Sequence, residues 1–67
     1  MRIDYGGLWT LLKEKKISRK DFRIQTKLGS STYSKLLKND NVSTASLIKI
    51  CDFLQCRIED IVNVIRE

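Results

Sequence analysis

Apolar residues recur along this chain in short blocks at helical spacing, and a cluster of polar or turn-forming residues closes most of these blocks. Tyr5, Leu8, Trp9 and Leu12 stand at i, i+3, i+4 and i+7, one stripe of an amphipathic helix. Asp4 is placed to cap that helix, and Gly6 and Gly7 loosen its first turn by about 1 kcal/mol each relative to alanine. Lys15 and Lys16 end it, and Ile17 turns back to the core. Ser18 then reads as an N-cap with Asp21 at the third helical position, a variant of the capping box. The helix it starts runs from Arg19 to about Thr26 and shows the core Phe22 and a partner near Gln25 or Thr26.

Lys27-Leu28-Gly29 forms a tight turn with one apolar plug, and a helix from Ser30 to about Leu37 follows with Tyr33, Leu36 and Leu37 inward. The polar turn Lys38-Asn39-Asp40-Asn41 separates it from a helix capped by Ser43, Thr44 to about Leu54, with Leu47, Ile50, Cys51 and Leu54 in its stripe. After Gln55-Cys56-Arg57 a last helix shows Ile58, Ile61, Val62 and Ile65 at the same offsets. No stretch alternates with period two long enough to suggest a strand. The expected fold is all-α, five short helices.

At 67 residues the chain is expected to form one domain, residues 1–67, with little room for a deep substrate pocket beside its core. The amino-terminal residues carry Asp4, Gly6 and Gly7 and no long apolar run, so no secretory signal is expected, and no stretch is apolar enough to span a membrane. A cytoplasmic location is the default. Two cysteines, Cys51 and Cys56, are too few for a disulfide scaffold and read as small buried apolar residues. With no histidine and no second cysteine pair, a zinc site lacks a ligand set and the commonest general base is missing. The reading is a non-enzyme with no metal and no cofactor.

The net charge of +5 is unevenly placed. Residues 13–38 hold nine bases against two acids, +7, whereas the rest holds four bases against six acids, −2. A basic block on one part of a small domain is the electrostatic footprint of a polyanion binder, although charge alone leaves an ordinary solvated lysine surface equally open.

Two short helices joined by a tight turn, within a bundle of five, have the layout of a helix-turn-helix over about residues 18–38. A helix that enters the major groove must be polar on one face and held to the domain by the other. Ser30-Ser31-Thr32-Tyr33-Ser34-Lys35-Leu36-Leu37-Lys38 meets that demand, with Ser30, Ser31, Thr32, Ser34 and Lys35 outward. Four small hydroxyl residues are poor helix stabilisers, but their hydroxyls suit phosphates and base edges alike.

In order and spacing, Leu8-Trp9, Leu11-Leu12, Ser30-Ser31-Thr32, Lys35-Leu36, Lys38-Asn39, Val42-Ser43 and Leu47-Ile48-Lys49-Ile50-Cys51 resemble the Cro/C1-type (lambda-repressor-like) helix-turn-helix domain, in its compact stand-alone form. The resemblance runs from Leu8 to Val62 and implies a sequence-specific transcriptional regulator, repressor or activator, with double-stranded DNA as partner. It implies that Ser30, Ser31, Thr32, Ser34 and Lys35 face the major groove. Arg19 would hold a phosphate at a helix start, and Lys38 and Asn39 would grip the flanking backbone. Two positions depart from the pattern. Lys27 stands where the family often has glycine, and a left-handed conformation there costs a lysine about 1 kcal/mol or more. Gly29 stands where serine or threonine usually caps the recognition helix.

A domain of this kind reads about one half-site, so a homodimer is expected, joined through the last helix at Ile58, Val62, Val64 and Ile65. The alternative is a protein-interaction module, antitoxin- or anti-repressor-like, that keeps the fold without specific DNA binding. An RNA reader would need exposed aromatic platforms, and of the aromatic residues, which fall at or beside core stripes, only Tyr33 could be spared for one.

Overall fold

The computed structural model describes residues 1–66. In chain order the elements are β1 (Arg2–Asp4), α1 (Gly6–Glu14), α2 (Arg19–Thr26), α3 (Ser30–Leu37), α4 (Thr44–Leu54), α5 (Ile58–Ile61) and β2 (Asn63–Ile65). Among the described residues five helices begin close to where the apolar stripes predict them, and the fold is predominantly helical, but the last helix is shorter than expected and two unexpected strands flank the helices.

The caps explain why the helices start where they do. Ser18 Oγ accepts from the Asp21 amide at 3.1 Å, and Ser43 Oγ accepts from the Ser46 amide at 3.2 Å. Asp4 Oδ2 accepts from the Gly6 amide at 3.0 Å, although Tyr5 holds the capping position itself. At the other ends, Lys16, Lys27, Asn39 and Gln55 take left-handed backbone conformations without glycine. Three of these close a Schellman turn, with Ile17 N donating to Leu12 O, Asp40 N to Lys35 O and Cys56 N to Cys51 O.

The carboxyl end departs from the expected helix. Helix α5 stops at Ile61, Val62 is extended (φ −120°, ψ 133°), and β2 pairs antiparallel with β1 in the register Arg2↔Ile65, Ile3↔Val64 and Asp4↔Asn63. Residues 62–65 are mostly β-branched, and one further helical turn would carry little cooperative gain. The partner strand supplies backbone hydrogen bonds instead, from sixty positions away in the sequence. Val62 and Ile65 are therefore only half-buried and do not extend a helical core stripe.

One buried cluster unites Tyr5, Leu8, Leu12, Phe22, Leu36, Leu47, Ile50, Leu54 and Ile61. Thr26 is the buried polar residue of α2, and its hydroxyl is satisfied by donating to Phe22 O at 2.6 Å. Leu28 and Ile17 pack partly buried against the same cluster. Leu37 and Ile58 do not join it; each is 48% exposed. Leu36 takes the inward direction of the short α3, and Leu37, about 100° further round, falls on its flank. Cys51 and Cys56 are half-buried rather than enclosed.

Gly7 has a role that helix propensity does not reveal. A Cβ there would collide with the backbone carbonyl of Asp60, so glycine is what lets α1 lie against α5. Tyr5 ties the start of α1 to the turn after α3. Its amide donates to Asn39 Oδ1 at 3.1 Å, and its hydroxyl donates to Asp40 O at 2.6 Å. Burial raises the Tyr5 hydroxyl pKa above its ordinary value; a Val42 backbone hydrogen bond opposes this and the Asp40 charge adds to it.

Candidate nucleic-acid interface

Helices α2 and α3 are joined by Lys27, Leu28 and Gly29. Lys27 adopts φ 55°, ψ 32°, the left-handed conformation that the departure from glycine makes costly. Gly29 caps α3 in an extended conformation (φ −68°, ψ 158°) with no side chain to bond the first turn, so the amides there remain available to an anion.

On α3, Ser30, Ser31 and Lys35 are exposed, whereas Thr32 and Ser34 are half-buried. Helical spacing aligns Ser31, Lys35 and Lys38 in one row and Ser30, Ser34 and Leu37 in the next. Thr32 lies one helical step from buried Leu36 and borders the core side. The outward face is thus narrower in hydroxyls than expected, and it includes an aliphatic side chain that was expected inside.

Arg19, at the first position of α2, is exposed and lies over the Trp9 ring with its guanidinium carbon 4.5 Å from the centroid. Lys38 is exposed at the C-cap of α3. Asn39 sits beyond it with φ 56°, its side-chain oxygen already accepting from Tyr5; only its amide donors remain for another partner. Ser30 and Lys38 therefore mark opposite ends of the surface, roughly 12 Å apart along the helix axis.

Arg23 is also exposed on α2 with no motif in the sequence to mark it, and Leu37 is exposed on α3 although its spacing predicts an inward position. The Arg23 guanidinium lies 4.6 Å from the Tyr33 ring centroid. Tyr33 in turn meets Trp9 edge-on at 6.1 Å, and Trp9 meets Phe22 edge-on at 6.4 Å. The two arginines are thus seated on a ladder of rings that runs down into the core. Such a contact contributes about 0.5–1 kcal/mol at an exposed site and limits the rotamers that a free arginine would explore. Their i, i+4 spacing is visible in the sequence, but the rings beneath them come from α1 and α3. Tyr33 is engaged in this ladder and offers no free stacking platform.

Among the described residues, no three potential metal ligands converge, and no helix is long and apolar enough to cross a membrane.

A turn-linked helix pair, with a polar second helix exposed beside seated cations, defines a helix-turn-helix DNA-binding domain. The chain belongs to the Cro/C1-type HTH DNA-binding domain family, whose profile matches residues 7–67. Its structure is similar to the crystal structure of the transcriptional regulator VanUg, with a TM-score of 0.94 and 36% sequence identity over 98% of this chain and 88% of that one. No curated protein matches.

Proposed function

We propose that the chain acts as one domain that binds a specific DNA sequence by laying α3 in the major groove. The observation that carries this reading is the exposed face of α3, its hydroxyls and Lys35 held beside Arg19 and Arg23 on their aromatic seats. In this arrangement the arginines, Lys38, the Asn39 amide and the open α3 amides hold phosphates and set the register. Ser30, Ser31, Ser34 and Lys35 meet base edges, with Thr32 at the margin. Leu37 offers an apolar contact to a thymine methyl at the far end of the helix. In the cytoplasm the bound protein blocks polymerase, as a repressor, or recruits it.

Reading a full operator takes two copies with half-sites about 34 Å apart. The face proposed for that homodimer is the exposed pair Ile58 and Val64, extended by Ile48, with half-buried Val62 and Ile65 behind it.

The test is selection from randomised duplex DNA across a salt series. The expected result is an enriched, two-fold-related motif whose retention falls steeply with salt. Retention without a motif, or none at low salt, would instead support a protein-interaction module. Within a selected operator, Lys35→Ala should lose about 1–3 kcal/mol at one base position, while Lys38→Ala should weaken all sequences alike. Indistinguishable profiles for the two variants would refute that division.

A further inference from the structure

The same backbone device ends α1 and α4, but different side chains occupy it. In a Schellman turn the residue three positions inside the cap and the residue two beyond it are brought into contact. At the end of α1 these are Leu12 and Ile17, an ordinary apolar pair. At the end of α4 they are Cys51 and Cys56, joined by a 3.1 Å bond from the Cys56 amide to the Cys51 carbonyl. Both thiols are free and half-buried, and both line an open cleft of about 470 Å³. Its walls include Ile48, 61% exposed, and Ile58. Burial first, then the charge and hydrogen bond of Cys51, push the Cys56 thiol up to about 11.

We propose that Cys51 and Cys56 form a two-thiol site for a trivalent arsenical bearing an apolar organic substituent. Both sulfurs bond the arsenic, and the substituent lies against Ile48 and Ile58. With an arsenic(III) oxide, each thiol gives up its proton, two As–S bonds form, and the oxygen leaves as one water. Arsenic stays trivalent, so no oxidant or reductant is needed. The site lies apart from the residues assigned to DNA, but its walls Ile48 and Ile58 also belong to the face proposed for the homodimer, so a bound arsenical and a second copy of the chain compete for that face.

The test uses the reduced full chain and phenylarsine oxide, followed by intact mass and by challenge with a monothiol and then a dithiol. One phenylarsenic group per chain, with loss of two hydrogens, should survive excess monothiol and leave with dithiol. Cys51→Ala and Cys56→Ala, checked for folding by circular dichroism, should each retain the group about a hundredfold less well, because the second bond is no longer intramolecular. No adduct, an adduct held by one sulfur, or equal retention in the single variants would overturn the site. If either variant fails to fold, the monothiol-against-dithiol challenge of the unaltered chain still decides. Ile48→Ser should remove the preference for phenylarsine oxide over inorganic arsenite; an unchanged preference would overturn the assignment of the apolar wall.

Discussion

Helices α3 and α4 follow the same rules and spend their residues differently. Helix α4 has eleven residues, a serine cap that bonds its first turn, and Leu47, Ile50 and Leu54 buried in one stripe. Helix α3 has eight residues, a glycine cap with no such bond, and Leu36 as its one fully buried side chain. A buried aliphatic side chain contributes about 1.5–3 kcal/mol, so α4 is held by several such contributions and α3 by few. The hydroxyl-rich face of α3 persists because the helix's own Leu36 and Tyr33 pack against the core and the Tyr5 latch holds the turn that follows it. Helix α4 buries more side chains than α3, and the surface proposed to meet DNA is carried on the less self-sufficient of the two.

The contrast is broken most directly at adjacent residues of α3. Leu36→Ala should cost about 2–5 kcal/mol, enough to unfold much of so small a domain, whereas Leu37→Ala should stay within about 0.5 kcal/mol. Urea melts check this, and equal losses would mean that α3 is buried on both sides. Next in size, Gly7→Ala should destabilise by about 1–3 kcal/mol despite alanine's helix propensity, because the Asp60 carbonyl must move. Gly6→Ala, whose nearest neighbour is the movable Asp4 side chain at 2.9 Å, should cost much less. The difference in melting temperature between the two glycine variants reads the α1–α5 contact.

Lys27→Gly should stabilise by about 1 kcal/mol through relief of the left-handed lysine, less the extra entropy of the unfolded glycine. A stabilised protein with unchanged DNA binding would place Lys27 outside the interface; weakened binding at raised stability would place it within. The pH response is the gentlest probe. Cys56 is raised from 9.0 to about 11 and Tyr5 upward from 10.0, so the folded state favours the neutral forms. Their contribution should be fully present below about pH 9 and fall away as pH rises through about 11. Urea midpoints measured across that range should decline, and Cys56→Ala should flatten the decline; a decline unaltered by the substitution would assign it to other groups.

Much of this molecule was legible one helix at a time. The bounds of α2, α3 and α4, the caps at Ser18 and Ser43 and the cost at Lys27 all follow from neighbours within a few residues. Reading failed where a distant segment set the outcome. Val62, Asn63, Val64 and Ile65 fit a helical stripe as well as a strand, and Arg2–Asp4 decides between them. Leu37 satisfied the inward spacing, yet a helix packed along so narrow a strip turns Leu36 and Tyr33 to the core and leaves Leu37 at its edge.

The order of apolar stripes and the charge placement determined, by themselves, a basic, mostly helical chain with a helix-turn-helix near its centre. Local periodicity and capping act over one or two turns, and the sequence displays them directly. Only the tertiary structure seated Arg19 on Trp9 and Arg23 on Tyr33, required glycine at position 7 and paired the two ends of the chain. Each of these depends on a distance between residues far apart in sequence, and chain folding in three dimensions sets that distance.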